Sequence, residues 1–258
     1  MLCDIMKILL TISYLGSNYC GYQVQRDERT VQGELNRAAQ ELFGFECDVT
    51  GCSRTDSGVH ANMFCACITQ KGAGSLETRV DASKIPGALN AHLPEDISVK
   101  NAEWVDDGFH PRYDVKYKEY VYKITNSPCR DPFSSGRSWH IQNPIFSDGD
   151  IERMNAAAAY FCGTHDFSAF MASGSKVEST VRTVKYAKVE KFDDTVIFTV
   201  AADGFLYNMV RILMGTLVYV ARGRISPEEI TKIIESKDRS LAGVTAPAEG
   251  LYLNRVVY

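Results

Sequence analysis

Residues 47–69 read CDVTGCSRTDSGVHANMFCACIT. The two ends of this stretch, CDVTG and MFCACIT, are short runs rich in β-branched and apolar residues, and they predict two strands. Between them Gly58 permits a tight turn, and the connecting loop carries Asp56 with Arg54 two residues before it. The stretch therefore predicts a strand, a loop and a strand, an arrangement in which a rigid sheet displays reactive groups.

The sequence on either side of this unit alternates strands with helices. Residues 7–16, KILLTISYLG, predict a strand, and Thr30 can cap a helix whose apolar residues recur at helical spacing up to Gly44. Residues 81–93 predict a short helix. YKEYVYKI, at 117–124, predicts a strand with Tyr120 and Tyr122 on one face.

The second half repeats this alternation. Asp150 can cap a helix over residues 151–163, residues 180–192 and 195–204 predict two strands, and residues 205–223 predict a long apolar helix that carries Arg211. A capping box from Ser226 to Glu229 predicts a last helix before the closing strand GLYLNRVVY. The pattern is typical of the α+β class, and we place a boundary between lobes at residues 1–105 and 106–258.

The composition is that of an ordinary soluble protein of 258 residues, with 45% hydrophobic and 23% charged residues. No apolar run approaches the roughly 18 residues that a membrane helix needs, and we see no signal peptide, so we expect a cytoplasmic protein without a membrane partner. Eight cysteines are scattered at positions 3, 20, 47, 52, 65, 67, 129 and 162. Because none forms a C-x-x-C pair, the sequence predicts reduced thiols and no metal site.

The net charge of −4 argues weakly against a nucleic-acid partner. Electrostatic attraction depends, however, on where the charges sit. Basic residues crowd together in two stretches and recur in a third: Arg112, Lys116, Lys118, Lys123, Arg130 and Arg137; Lys176, Arg182, Lys185, Lys188 and Lys191; and Arg211, Arg222 and Arg224. These residues fit either a phosphate-binding surface or a plain solvated one.

An aspartate in a glycine-flanked loop is most often a turn former, but Arg54 beside Asp56 also fits a nucleophile or base next to a phosphate holder. A glycosidase needs a second carboxylate. The best candidate is Asp166. Because phenylalanines lie close to it in the sequence, it is more typical of a helix start or a turn. His60, His110 and His165 can each serve as an acid or base, and each is equally explained as a loop histidine.

Several motifs together resemble one known family. CSRTDSGVHA resembles the R-T-D-A-G-V-H-A signature of the tRNA pseudouridine synthase A family, with Ser57 where alanine is usual. YLGSNYCGYQVQ, FHPRYDVKYKEYVYKI and GTHDFSAF resemble further elements of that family, in the same order along the chain. RTVKYAKV, GFLYNMVRILMGTLVYVARG and APAEGLYL complete a series that spans about Lys7 to Tyr258.

The resemblance implies an enzyme that converts uridine to pseudouridine in structured RNA without cofactor or metal. Asp56 matches the family's essential nucleophile or electrostatic partner, and Tyr120 matches its active-site tyrosine. Arg211 matches the arginine that pairs with the aspartate. Arg54 matches the arginine that stabilises the vacated base stack and holds phosphate, Leu251 would line the pocket, and we place His60 with the substrate-binding residues.

The resemblance also implies an architecture and partners. Two similar lobes would join their antiparallel sheets into one central sheet, with helices on the outer face and an RNA-binding cleft on the other, and the second lobe would complete the active site. A homodimer would bind the tRNA anticodon arm, with uridines at positions 38 to 40 as targets. The chain departs from the family pattern at Ser57, at Tyr22 in place of tryptophan, and at PRYDV in place of ARFSA.

Two other functions are open on the sequence. A non-catalytic protein of this fold that binds structured RNA would need neither Asp56, Tyr120 nor Arg211. A glycosidase that releases uracil would need a second carboxylate to activate water, and the sequence nominates none.

Overall fold

The computed structural model of the chain describes residues 6–174 and 177–258, so Cys3 and Lys176 lie outside the described residues. Contacts between residues divide the chain into two units. Unit 1 runs up to Lys116 and also includes Leu253–Tyr258, whereas unit 2 is Tyr117–Tyr252. The predicted division after residue 105 falls at the end of a strand of unit 1, and the last residues of the chain lie in unit 1 rather than with the second lobe.

Unit 1 is a sheet with two helices: β1 Met6–Tyr14, α1 Val31–Phe43, β2 Cys47–Gly51, β3 His60–Gln70, α2 Ile85–Asn90 and β4 Ile97–Asp106. Strand β1 lies between β3 and β4, β2 pairs with β3, and all three pairings are antiparallel. Ile68 of β3 lies opposite both Ile8 and Val49, and all three side chains are fully buried. The hydrophobic core of unit 1 thus begins directly beneath the two strands that flank the Asp56 loop.

Helix α1 begins and ends where the sequence predicts. The hydroxyl of Thr30 accepts a hydrogen bond from the Gly33 amide at 3.2 Å, and Gly44 ends the helix at a φ of 78°. Its buried residues are Val31, Leu35, Ala38 and Ala39. The 3.6-residue period of the apolar side chains therefore determines the face that packs on unit 1.

Unit 2 contains β5 Tyr117–Thr125, β6 Trp139–His140, α3 Asp148–Ala159, β7 Gly163–Asp166, β8 Val181–Phe192, β9 Thr195–Ala202, α4 Met209–Ala221, α5 Glu229–Ser236 and the start of β10 Leu251–Val257. Strands β5, β9, β8 and β7 pair in that order and are antiparallel, and β6 pairs in parallel with β5. Tyr122, Phe198 and Val189 form a buried row across this sheet. The α+β prediction is confirmed in each unit.

Three helix starts differ from the prediction. Ser147 caps α3, because its hydroxyl accepts from the Asp150 amide while the Asp150 carboxylate accepts from the Ser147 amide. Helix α4 begins at Met209 because Asn208 has a φ of 58°, outside the helical region. Helix α5 begins at Glu229, although the Glu229 carboxylate does accept a hydrogen bond from the Ser226 amide at 2.6 Å.

Strands β4, β6 and β7 are not predicted by the sequence patterns. Two of them, β6 and β7, are only two and four residues long, too short to show a period of alternation. In the described part of the chain, every helix is too short or too polar to cross a lipid bilayer.

Helix α4 contacts residues 242–247 through glycines. A Cβ built on Gly215 would lie 1.8 Å from the carbonyl oxygen of Val244, and one on Gly243 would lie 2.4 Å from the Thr216 nitrogen. The hydroxyl of Thr216 accepts a hydrogen bond from the Gly243 amide at 2.8 Å. The segment therefore lies directly on the helix backbone, with no space for a methyl group between them.

Gly215→Ala is therefore expected to lower the free energy of unfolding by about 3 kcal/mol, the upper range for overpacking a closely packed contact. Gly87→Ala is the matched control, because Gly87 also lies in a helix and a Cβ there would have no neighbour within 4 Å. The control is expected to raise stability by about 0.5–1 kcal/mol. Urea denaturation measures both, and equal midpoints for the two variants would contradict the packing argument.

Candidate active site

The loop between β2 and β3 carries Asp56 and Arg54 on either side of a buried threonine. Thr55, between them, is buried, and its hydroxyl forms a buried 2.7 Å hydrogen bond with the hydroxyl of Tyr14. Asp56 is half-buried and Arg54 is exposed. The inward threonine thus fixes the loop between the exposed Arg54 and the half-buried Asp56.

Residues 16–22, which we call the N-terminal cradle, hold the backbone of this loop. A Cβ on Gly16 would lie 2.0 Å from the Val59 carbonyl oxygen, and one on Gly21 would lie 2.7 Å from the Thr55 carbonyl oxygen. Gly21 also has a φ of 90°, which disfavours any other residue. The carbonyl of Thr55 accepts a hydrogen bond from the Tyr22 amide at 3.1 Å. Only glycine lets the cradle come this close to Asp56.

Tyr19 joins the cradle both to the loop and to the rest of unit 1. Its carbonyl accepts from the Ser57 hydroxyl at 3.1 Å and from the Gly58 amide at 3.4 Å. Its own hydroxyl donates to the Asp96 carboxylate, and the Arg29 guanidinium lies 4.6 Å from the centre of its ring. Burial and the bond to Asp96 raise the pKa of Tyr19, so it stays a protonated donor.

The two departures from the family pattern near the loop have structural explanations. Ser57 adds the hydroxyl bond to Tyr19, which alanine cannot make. Tyr22 is buried and stacks on Phe64 at 4.3 Å between ring centres, and its hydroxyl donates to the Val49 carbonyl at 3.1 Å. Tyr22 therefore supports β2 and β3 from inside unit 1.

His60 does not lie where a substrate-binding residue is expected. Its ring is fully buried, and its Nδ1 accepts a 2.9 Å hydrogen bond from the Gly16 amide. This placement does not support the predicted contact with substrate, because a fully buried ring offers no surface to RNA. His60 instead fixes the start of the cradle against β3.

In unit 2, Tyr120 and Tyr122 lie on one face of β5. Tyr120 is buried and makes an edge-to-face contact with Phe205, at 5.0 Å between ring centres. Tyr122 donates to the Pro247 carbonyl at 2.6 Å, and its ring lies 2.6 Å from the position of a Cβ on Gly250. Leu251, which follows Gly250, is buried at the start of β10. Tyr122 thus holds the segment that positions Leu251.

Arg211 lies in the first turn of α4 and is held at two of its nitrogens. Its Nε donates to the Ala246 carbonyl at 2.7 Å, and its Nη1 donates to the Asn208 side-chain oxygen at 2.6 Å. The backbone carbonyl of Arg211 also accepts from the Ala246 amide at 3.1 Å. Both side-chain bonds fix the plane of the guanidinium, so its charge points in one direction.

Asn208 and Tyr122 are site residues that the sequence reasoning missed. Asparagine tolerates the left-handed conformation of residue 208 and at the same time binds Arg211 three residues on, which is the spacing of one helical turn. Tyr122 donates to the Pro247 carbonyl and Arg211 to the Ala246 carbonyl, so the two side chains hold adjacent residues of one segment. The segment that precedes Leu251 is thus held by both Tyr122 and Arg211.

Asp166 is a structural carboxylate. It accepts hydrogen bonds from the Thr180 hydroxyl at 2.6 Å and the Ser168 amide at 3.1 Å, and it forms a 2.8 Å ion pair with Lys237. The ammonium of Lys237 and these hydroxyl and amide donors hold the pKa of Asp166 well below its usual range. A carboxylate so stabilised cannot act as a general acid near neutral pH, so Asp166 does not supply the second acid of a glycosidase.

The predicted site residues are divided between the units. Arg54, Asp56 and His60 belong to unit 1, and the structure brings the first two together on one loop. Tyr120, Arg211 and Leu251 belong to unit 2. Among the described residues, no three histidine, cysteine, aspartate or glutamate side chains form a group that could hold a metal ion.

Large segments of both units match known proteins. Residues 10–114 and 157–258 match the sequence profile of a family described as tRNA pseudouridine synthase, so the chain belongs to that family. It is 45% identical over 252 residues to tRNA pseudouridine synthase A of Thermoanaerobacter sp. strain X514, covering 98% of this chain and 99% of that one.

A second relative is more distant. The chain is 41% identical over 251 residues to tRNA pseudouridine synthase A of Staphylococcus aureus strain MRSA252, covering 97% of this chain and 91% of that one. A solved Cbf5-Nop10-Gar1 complex matches with 13% identity and a TM-score of 0.36, covering 95% of this chain and 57% of that chain, a likeness too low to support any argument.

Asp166→Asn is expected to lower the free energy of unfolding at pH 7 by roughly 1 kcal/mol, because one partly exposed charge loses its ion pair and charge-assisted hydrogen bonds. The pKa of this carboxyl is lower in the folded protein than in the unfolded chain. Its contribution is therefore complete above the unfolded pKa of about 3.9 and is lost as the pH falls through the folded pKa.

Urea denaturation at several pH values measures the difference between wild type and Asp166→Asn. The difference should be constant from pH 7 to about pH 5 and shrink below about pH 4. Asp107→Asn, at an exposed position, is the control and should differ little from wild type at any pH. A difference that grows as the pH falls would show that the sign is wrong.

Proposed function

We propose that this chain isomerises uridine to pseudouridine in tRNA, with Asp56 as the residue that acts on the glycosidic bond. The observation that carries the proposal is the Asp56 loop itself, whose backbone is held by the N-terminal cradle while its aspartate remains accessible. Membership of the tRNA pseudouridine synthase family supports the reaction class.

The reaction needs one carboxylate, because no water has to be activated. The bond between N1 of uracil and C1′ of ribose breaks, the uracil turns within the pocket, and C5 forms a new bond to C1′. The proton leaves C5 and N1 gains one, so the product has the same atoms as the substrate. Asp56 serves either as a nucleophile or by stabilising the positive charge that develops on the ribose. The structural role of Asp166 is consistent with a single catalytic carboxylate.

The other site residues have roles that follow from their chemistry. A uridine stacked in RNA must be flipped out before its glycosidic bond can be reached. Arg54 is an exposed cation beside Asp56, suited to hold a phosphate or fill the vacated stack. We assign Tyr120 to stacking on uracil or to proton transfer, Arg211 to keeping Asp56 ionised, and Leu251 to excluding water.

The identity of the target and the assembly rest on the resemblance alone. We propose the anticodon arm, with uridines at positions 38 to 40, as the substrate, and a homodimer as the functional assembly. A cytoplasmic location stays a prediction.

Asp56→Asn is expected to reduce pseudouridine formation by at least about 10³-fold, because the amide can neither attack carbon nor carry negative charge. Unmodified tRNA transcripts are incubated with enzyme, and pseudouridine is mapped chemically at each uridine. Asp48→Asn is the matched control, since Asp48 is an exposed aspartate on the neighbouring β2, and it should retain full activity.

Three results of that assay would contradict the proposal in different ways. Pseudouridine made equally well by Asp56→Asn would remove Asp56 from the chemistry. Tight binding of RNA that stays unaltered with wild-type protein would favour a non-catalytic RNA-binding protein. Abasic sites in the RNA would favour a glycosidase that releases uracil.

Asn208→Gly tests whether the orientation of Arg211 matters for the reaction. Glycine keeps the left-handed backbone without strain and removes the side chain whose oxygen accepts from Arg211. We expect kcat to fall about tenfold, equivalent to about 1.4 kcal/mol, with little change in the free energy of unfolding. Asn208→Ala should lower both quantities, because alanine also strains the backbone. An unchanged kcat in the glycine variant would show that this hydrogen bond serves stability only.

A further inference from the structure

A second polar surface of unit 1 lies beside the Asp56 loop. A pocket of about 170 Å³, which we call the Arg112 pocket, is lined in part by Gln23, Gln32, Ser53, Arg54, His110 and Arg112. Neither aspartate nor glutamate is among its ten lining residues, although the chain as a whole has 32 acidic and 28 basic residues. The lining of the Arg112 pocket is therefore basic, although the protein as a whole is acidic.

Ring stacking and hydrogen bonds hold part of the lining of the Arg112 pocket. Tyr22, stacked on Phe64, forms part of it, and the Gln32 amide is fixed at both of its polar atoms. Gln32 donates to the Val49 carbonyl at 2.9 Å and accepts from the Val24 amide at 2.9 Å. An anion that enters this pocket meets a surface that is already ordered, which reduces the entropic cost of binding.

His110 lines the Arg112 pocket and has one ring nitrogen already hydrogen-bonded. Its Nδ1 accepts hydrogen bonds from the amides of Arg112 at 3.1 Å and Tyr113 at 3.3 Å. In the neutral ring the proton must therefore be on Nε2, so the ring offers an N–H without needing to be charged. Together with the exposed guanidinium groups of Arg54 and Arg112, this gives three donors suited to phosphate oxygens.

Tyr113 stands at the edge of the same pocket with 75% of its surface exposed. The His110 ring lies 4.2 Å from its ring centre at 34°, and the Arg112 guanidinium lies 5.9 Å from it. A large aromatic ring supported by a neighbour and otherwise open to solvent is suited to stack on an unpaired base.

The volume of the pocket limits the size of the group that it can enclose. At about 170 Å³ it is smaller than the roughly 300–1,000 Å³ of sites that enclose whole small molecules. It fits a phosphate group but does not enclose a nucleotide, so a base attached to that phosphate would remain outside, where Tyr113 is.

We propose that the Arg112 pocket binds one backbone phosphate of the substrate RNA and that Tyr113 stacks on an unpaired base next to that phosphate. The proposal rests on the proposed function and deepens it, since it names the part of the RNA that unit 1 holds beside the target uridine. Arg54 lines the pocket and is two residues before Asp56 in the sequence. A phosphate bound by Arg54 would therefore contact the same loop that carries Asp56.

The test measures the affinity of an anticodon-arm RNA in which the target uridines are replaced by cytidine, so that no turnover occurs. Arg112→Gln and Tyr113→Ala should each weaken binding about tenfold, within the range for one stacked base or one charged contact. Arg112→Gln should also reduce the slope of log affinity against log salt by about one, whereas Tyr113→Ala should leave that slope unchanged.

Three controls sharpen the test. Tyr113→Phe keeps the ring and should restore wild-type affinity. Arg79→Gln removes an exposed arginine of unit 1 outside the pocket and should leave affinity unchanged. In RNAs that carry one abasic residue at successive loop positions, the loss caused by Tyr113→Ala should disappear at one position, which identifies the stacked base.

Wild-type affinity in both Arg112→Gln and Tyr113→Ala would overturn the proposal, and so would saturable binding of inorganic phosphate in the pocket without any change in RNA affinity. A separate assay of pseudouridine formation by the wild-type protein distinguishes failure of the pocket proposal from failure of the proposed function. If pseudouridine forms while the variants bind RNA normally, only the Arg112 pocket proposal fails. If no pseudouridine forms, the proposed function fails, and the binding results remain interpretable by themselves.

Discussion

The Asp56 loop keeps its conformation because two glycines let the N-terminal cradle lie directly against its backbone. Any side chain at Gly16 or Gly21 would overlap the carbonyls of Val59 or Thr55. The contact satisfies backbone groups of the loop that would otherwise need water, and it leaves the side chain of Asp56 outside the contact. The accessibility of Arg54 to the Arg112 pocket depends on the same contact, since it fixes the direction of the loop.

In unit 2, close backbone contacts at glycines also help to orient a charged side chain, here a cation. Arg211 is oriented by a backbone carbonyl and by Asn208, and the segment that provides the carbonyl lies on α4 only because Gly215 and Gly243 have no side chains. In both units a charged side chain is thus directed by close backbone contacts. A single oriented charge can lower a reaction barrier without moving during the reaction, which is the advantage of a preorganised site.

The sequence predicted the α+β class, both ends of α1 and the loop that carries Asp56, because these depend on local periodicity, capping and glycine. It did not predict the burial of His60, whose ring is placed by a bond to Gly16 from 44 residues away. The same holds for Asn208, whose role appears only when α4 begins one residue after it. When residues far away in the sequence surround a side chain, the sequence pattern can identify that residue but cannot predict its contacts.

The bond between Tyr19 and Asp96 joins residues 77 positions apart, and Asp96 lies just before β4. The cradle therefore has this anchor only after residue 96 has been synthesised and has folded against Tyr19. A growing chain that ends before residue 96 already contains Asp56 but lacks one of the contacts that hold the cradle. The support of the Asp56 loop thus includes a contact between distant parts of the sequence, the kind of contact that slows folding.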